Sequence, residues 1–490
     1  MSSRFTSSPP MTPAGTPDSP LRVAVIGSGP AGCYAAGHLL KAKDLTVEVD
    51  MFDSLPTPWG LVRAGVAPDH PNIKSVTRVF EKTAAHPSFR FFGNVEVGRD
   101  IDHEDLVRHY HGIIYAVGAQ TDRQMGIPGE ELAGSWAATE FVAWYNGHPD
   151  YRELEFDLSG ERAIIVGNGN VAMDCARMLA LTYEELASTD VADHALEVLK
   201  DSKVRDIVIC GRRGPAQAAF TNPELLELGE LTAADVVVDP ADLVLDEASA
   251  RAIEVAGELT ARKNVEILTG YSQRKLTGKP KQVRLRFLVS PVAIHGSGRV
   301  EQVELARNEL VVDEGGAIRA VPTDVRETVE CGLVLRSIGY RGVALPGVPF
   351  DESKGTIPNE EGRILDLDSG EPITGGYCVG WIKRGPTGVI GTNKKDGQES
   401  AQRVLDDALA GKLLEPAAPA AEAVEGLLAE RNPDYVSYQG WEAIDRVECA
   451  AGGKQGRPRV KLCTREHLLA AARGEPAEKD VEKDAAQPVG

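Results

Sequence analysis

An α/β fold with two doubly wound, Rossmann-like units is the architecture this 490-residue sequence predicts, and two observations carry the prediction. First, two glycine-rich turns, Gly27-Ser-Gly29-Pro-Ala-Gly32 and Gly167-Asn-Gly169-Asn-Val-Ala172, each follow a short apolar β-branched run and open an Ala-containing helical pattern. Second, each turn-and-helix leads on to another β-branched strand, completing a β-α-β crossover, and the two crossovers lie roughly one domain length apart.

In chain order, Leu21–Ile26 reads as the first strand, a helix runs to about Lys43, and 46–52 alternates as a second strand. Segments 89–97 and 112–117 read as further strands. The second unit opens with Arg162–Val166, turns through glycine, enters a helix over 171–181 and returns as a strand at 206–210. The stretch 183–203 is longer than a minimal crossover and predicts an added helix. Segment 1–20 is rich in Ser, Thr, Pro and Gly, and with 474–490 it is expected to be a solvated, disordered tail. It has neither the apolar core of a secretory signal nor more than one Arg.

Composition narrows the function classes. A net charge of −20 argues against nucleic acid as the main partner, because phosphate binding needs an excess of Lys and Arg. No apolar run is long enough for a membrane span. The seven cysteines, Cys33, Cys175, Cys210, Cys331, Cys378, Cys449 and Cys463, contain no C-x-x-C pair. That pattern suits a reducing cytoplasm and gives no disulfide framework, zinc site or iron–sulfur ligand set; no metal is expected.

In the first turn Gly27 permits the tight bend, Gly29 lets backbone approach a pyrophosphate at the helix N-terminus, and Gly32 allows close helix–strand packing. Asp53, at the end of the next strand, is placed to accept hydrogen bonds from a ribose diol. The second turn carries Ala172 at its third small position. Its next strand ends not in an acid but in Gly211-Arg212-Arg213-Gly214. Paired guanidiniums suit a 2′-phosphate, so this unit points to NADPH rather than NADH; two solvated surface arginines are the alternative.

Together with several longer strings, these residues resemble the adrenodoxin-reductase-like ferredoxin–NADP⁺ reductases and, more distantly, the glutathione-reductase-like flavoproteins. The match covers 21–462. It is carried by Leu55-Pro-Thr-Pro-Trp-Gly-Leu-Val-Arg63, Gly65-Val-Ala-Pro-Asp-His70-Pro, Tyr115-Ala-Val-Gly-Ala119, both turns, Gly211-Arg-Arg-Gly-Pro215 and Gly380-Trp-Ile-Lys-Arg-Gly-Pro-Thr-Gly-Val-Ile-Gly391. Gly380 is followed by Trp381 where the wider flavoprotein group often has an Asp, which matches the adrenodoxin-reductase branch. The resemblance implies FAD on the first turn and NADPH on the second. Because 377–392 resembles a flavin-domain closing segment, it also implies that the NADP domain is inserted into a discontinuous FAD domain. Crossings are expected near 126–129 and 337–342, with an FAD-binding part over 21–122, an NADPH-binding domain over 123–338, and the rest of the FAD domain with a C-terminal segment over 339–473.

Carried over by motif, the resemblance implies that Ala31, Asp53, Leu61 and Val97 line the flavin site and that Trp381, Gly388, Val389 and Ile390 close over it. It places Arg123, Asn168, Gly169, Asn170, Val171, Arg212, Arg213, Glu224 and Gly388 at NADPH, and makes His70 and Glu227 the catalytic pair. Trp59 and Trp381 are natural neighbours for a planar ring, and a histidine whose charge changes near neutral pH suits proton handling beside it. The implied activity is hydride transfer from NADPH to FAD, followed by single-electron transfer to an iron–sulfur ferredoxin. A quinone or diaphorase-type reductase with the same cofactors and a non-catalytic NADPH-binding flavoprotein are the alternatives. An acidic ferredoxin needs local positive charge on so acidic a chain. The basic run from Arg262 and Lys263 to Arg286, and Lys383 with Arg384 beside Trp381, are the candidate docking points; a solvated strand and hairpin is the other reading of 262–286.

Overall fold

The computed structural model describes residues 14–255 and 259–475; 1–13 and 476–490 of the expected tails lie outside them. Two sheets, the first parallel over most of its width and the second throughout, form the frame. The first runs in the order Asn359–Glu360, Arg363–Leu365, Pro372–Cys378, Gly112–Tyr115, Leu21–Ile26, Val47–Phe52, Phe89–Phe92. Its last five strands are mutually parallel. The second runs Ser135–Ala137, Leu333–Arg336, Arg162–Val166, Asp206–Gly211, Lys281–Phe287, Ala234–Val238 and is parallel throughout. Every strand of the second sheet lies in sequence between two strands of the first, so the second unit is inserted into a discontinuous first.

Both sheets are covered on their faces, which is why their central strands are continuous apolar runs rather than alternating ones. Leu21–Ile26 is buried at all six positions. Against it, helix Ile390–Leu409 packs on helix Pro30–Leu39 so closely that a methyl group on Gly397 would lie 2.9 Å from Tyr34 Cβ. The chain passes between the units in a short antiparallel ribbon, Thr121–Asp122 against Tyr340–Arg341. Gly126-Ile-Pro-Gly129 follows this ribbon and packs on a neighbouring sheet, where a Cβ on Gly129 would meet the Ile294 carbonyl at 1.9 Å.

Four features depart from the sequence reading. Residues 14–20, expected to be disordered, form a tight turn in which Thr16 bridges Ser19 and the Gly15 carbonyl accepts from Thr46 N–H at 2.8 Å. Ala14 and Leu45 pack against the first core, so apolar contact outweighs the polar composition. Segment 262–286 is not a solvated hairpin: Leu259–Ser272 is a helix, and Lys281–Phe287 is an interior strand burying Val283, Leu285 and Phe287. A third, antiparallel sheet of Val289–His295, Gln302–Val312 and Ile318–Glu330 was not anticipated. Stretch 183–203 holds two short helices, Tyr183–Ala187 and Asp193–Lys200, where one was expected.

The C-terminal segment ties the two units together. Helix Tyr438–Gln455 adds Trp441 and Ile444 to the first core. Its Glu448, fully buried, pairs with Arg63 at 2.6 Å and Arg459 at 3.1 Å. Arg457 then donates to the Thr189 carbonyl at 2.9 Å and Lys461 to Asn146 Oδ1 at 3.1 Å, both in the second unit. Lys461 also reaches the Arg63 carbonyl in the first unit at 3.3 Å.

Candidate active site

The two glycine turns have the same local physics. Gly27 has φ +105° and Gly167 φ +125°, both in the left-handed region, and each passes under the end of a neighbouring strand. A Cβ on Gly27 would lie 2.5 Å from the Ala116 carbonyl oxygen, and one on Gly167 2.0 Å from that of Ser337. Gly32 is excluded from bearing a side chain by the Gly27 carbonyl at 2.2 Å, whereas Ala172 is accommodated with no exposure at all. Gly29 and Gly169 differ in kind: a methyl group at either would touch no protein atom within 4 Å. No described neighbour requires glycine there, so both leave backbone open to an outside group at a helix N-terminus.

Around the first turn, Asp53 accepts from Ser28 N–H at 3.0 Å and from Leu55 N–H at 2.9 Å, and pairs with the Ser28 hydroxyl. Burial, opposed by these bonds, raises its carboxyl above the ordinary range. A carboxylate offers about four acceptor directions, so a ribose hydroxyl still finds room. Ala31 is buried and meets Gly380, whose added Cβ would lie 2.7 Å from that of Ala31. The closing segment thus folds onto the first turn. Trp381 stacks obliquely on Tyr340 at 5.0 Å, and its buried indole N–H has no acceptor among the described residues. Gly388, at φ +80°, and Val389 lead into helix Ile390–Leu409. Leu61 is partly exposed at the start of helix Leu61–Ala64, and Val97 is buried beside Ile101. These residues fit a flavin dinucleotide: an open glycine, a buried acid, an orphaned indole donor and a helix N-terminus.

Trp59 does not belong to this set. It is 4% exposed, with its indole among Phe80 at 5.7 Å, Tyr438 at 6.4 Å and Trp441 at 6.5 Å. Its own φ of +85° turns the chain so that Gly60 overlies Gly29.

Around the second turn, the Asn168 carbonyl accepts from Ala219 and Phe220 N–H, and Asn170 Oδ1 accepts from Thr221 N–H at 2.8 Å. These bonds hold the turn against the segment leading to helix Asn222–Leu228. Arg212 is exposed and Arg213 half-buried; burial, reinforced by the Arg212 charge, lowers the Arg213 guanidinium, as expected of a cation without an anion beside it. Val171 packs on the second core, and Arg123 lies beside the connecting ribbon, donating its N–H to the Gly339 carbonyl at 3.0 Å.

Between the turns, His70 of the first unit meets Glu227 of the second, Nε2 to Oε2, at 2.8 Å. His70 is 9% exposed. Donor atoms of His70, Glu224 and Glu227 all lie within 4.8 Å of one another, a spacing a metal ion favours. Here the space between the carboxylates belongs to Arg177, whose Nη1 lies 2.8 Å from Glu224 and 3.2 Å from Glu227. Arg177 carries no motif signature; only its place on the helix after the second turn points to it.

The docking candidates separate by their partners. Lys383 is held by Asp396 at 2.9 Å and Glu399 at 2.6 Å, and Arg384 by Asp396 at 2.5 Å, so much of their charge is offset within the fold. In the basic run, Lys279 and Lys281 donate to carbonyls, Arg284 pairs with Asp206 and Arg286 with Glu327. Arg262 and Lys263 remain exposed on helix Leu259–Ser272, as do Arg274 and Lys275 just after it.

Two glycine cradles on facing units, joined by a histidine–carboxylate contact, define an oxidoreductase that brings two dinucleotides together. The pyridine nucleotide-disulphide oxidoreductase family model matches residues 21–365, and the chain belongs to that family, within its branch of NADPH-ferredoxin and adrenodoxin reductases. It is 50% identical over 461 residues to the NADPH-ferredoxin reductase FprA of Mycobacterium leprae, covering 92% of this chain and 98% of that one. It is 42% identical to the mitochondrial NADPH:adrenodoxin oxidoreductase of Salvelinus fontinalis, covering 94% and 92%. The structure of Mycobacterium tuberculosis FprA in complex with NADPH superposes with a TM-score of 0.87 at 49% identity, covering 93% of this chain and all of that one. The disulphide of the family's description has no counterpart here: all seven cysteines are free, and five are buried. No helix among the described residues is long and apolar enough to cross a membrane.

Proposed function

We propose that the protein is an FAD-dependent NADPH:ferredoxin oxidoreductase. The observation that carries this reading is the pair of matched cradles, one followed by an acid and the other by two arginines. Gly27, Gly29, Gly32, Ala31, Asp53, Leu61, Val97, Trp381, Val389 and Ile390 would hold FAD. Gly167, Asn168, Gly169, Asn170, Val171, Arg123, Arg212, Arg213, Glu224 and Gly388 would hold NADPH. When bound, FAD supplies the exchange between hydride and single-electron transfer. The protein's part is orientation, exclusion of water and control of charge. Arg212 and Arg213 recognise the 2′-phosphate, the backbone of both turns takes the pyrophosphates, and His70 with Glu227 sets the charge where the two units face each other.

The acceptor is an iron–sulfur ferredoxin, as the names of the relatives at 50% and 42% identity indicate for those proteins. Its docking point is the exposed end of helix Leu259–Ser272 at Arg262 and Lys263. The purified protein should be yellow, with one FAD per chain, be bleached anaerobically by NADPH, and recolour when oxidised ferredoxin is added. Colourless protein that cannot take up FAD overturns the reading. Bleached protein that passes electrons to quinones but to no ferredoxin makes it a diaphorase.

A further inference from the structure

We infer that Arg177 is the positioning residue of the His70–Glu227 pair; the inference rests on the oxidoreductase reading above. Arg177 lies on helix Asn170–Ala180, directly after the second glycine turn, and its side chain is 2% exposed. Its guanidinium spans both units. Nε and Nη2 each donate to Asp69 of the first unit at 2.9 Å, in a two-pronged fork. Nη1 donates to Glu224 at 2.8 Å and lies 3.2 Å from Glu227, both on helix Asn222–Leu228. The Glu227 oxygen that Nη1 approaches is the one that meets His70. Asp69 and His70 are adjacent in the chain, so the contacts close a ring: Asp69, His70, Glu227, Arg177 and back to Asp69.

The ring explains an otherwise costly arrangement. Asp69, Glu224, Glu227 and Asp174, the last with an oxygen 3.0 Å from Nη2, converge on one cation. Asp174 is relieved separately: burial, opposed by Arg177, pushes its carboxyl up to about 7. Asp69 and Glu224 face the guanidinium directly, and Glu227 shares it with His70. A planar fork fixes the direction of each bond, which a lysine ammonium, a point charge on a flexible stem, does not. Arg177 therefore holds the His70 loop of one unit at a fixed distance from the Glu227 helix of the other.

The test is Arg177→Lys, with Asp69→Asn as the second variant should the first fail to fold. At saturating NADPH the rate of FAD bleaching should fall roughly ten-fold or more, while the NADPH concentration for half-saturation moves less than about two-fold. In a His70→Ala background the same substitution should have no further effect, because it acts through His70. A third readout needs no turnover. In ¹⁵N-histidine-labelled protein without NADPH, the hydrogen-bonded His70 imidazole signal, assigned by its loss in His70→Gln, should give way in Arg177→Lys to that of a solvent-averaged ring. An unchanged bleaching rate, additive losses in the double variant, or an unaltered His70 signal overturns the inference. Failure of NADPH to bleach the unmodified protein would instead sink the oxidoreductase reading, with the His70 signal still deciding the role of Arg177.

Discussion

Gly27 and Gly169, drawn from the two copies of the same glycine motif, have opposite reasons to exist. Gly27 is fixed by its own fold, because φ +105° and the Ala116 carbonyl at 2.5 Å leave no room for a side chain. Gly27→Ala should therefore destabilise the cofactor-free protein itself, by about 1–3 kcal/mol, read as a lower denaturation midpoint. Gly169 sits in open space. Gly169→Ala should leave the melting temperature of the nucleotide-free protein unchanged and weaken NADPH binding by calorimetry. A loss of stability there would show that the position serves the turn and not a ligand. Arg212 and Arg213 are separable in the same way. Charge-assisted hydrogen bonds contribute about 1.5–3 kcal/mol each, so replacing both with Ala should raise the KM for NADPH roughly ten-fold or more and barely alter that for NADH. Equal losses with the two nucleotides would make them structural.

At the scale of elements, the C-terminal segment contributes a buried cation whose effect on stability has a definite sign. Burial, opposed by Asp190, draws the Lys461 ammonium down to about 7. In the unfolded chain a lysine titrates near about 10.4. Between those values the unfolded chain holds a proton the folded one has shed, so stability rises with pH across that window; below it the cost of the buried charge is felt in full. Lys461→Met should flatten that rise, measured by denaturant unfolding at pH 7 and pH 9. An unchanged slope would assign it to other groups. Both turns, their helices and the second strand of each unit were legible from sequence because glycine spacing and β-branched runs report backbone geometry directly. Trp59, the basic run and Arg177 were not. Whether a tryptophan faces a ligand or a core, whether an arginine is exposed or paired with an acid distant in sequence, and which arginine closes a ring between two units are settled by tertiary contacts. The antiparallel sheet escaped for a related reason: Ile318–Glu330 is mostly exposed and lacks the alternation that marks a half-buried strand.

For the whole molecule, charge governs encounter. With −20 overall, attraction of an acidic ferredoxin needs a local positive field, which the proposed docking point at Arg262 and Lys263 would supply, and screening acts over about 10 Å at 0.1 M salt. Ferredoxin reduction should fall with added salt and with charge reversal at these two residues, while NADPH-driven reduction of a small neutral dye holds; indifference of ferredoxin turnover to both would move the docking point elsewhere. The inserted topology also sets a schedule for synthesis. All six strands of the second sheet lie within residues 135–336, so a ribosome has delivered that unit in full while the first still lacks strand Pro372–Cys378, helix Ile390–Leu409 and the C-terminal segment. Leu21–Ile26, which emerges before the other described strands, lies inside a sheet completed only when strand Pro372–Cys378 has been made. The nascent chain must carry that apolar strand incompletely covered for most of its translation, so a stalled or truncated product exposes its aggregation-prone half while displaying a finished nucleotide-binding one.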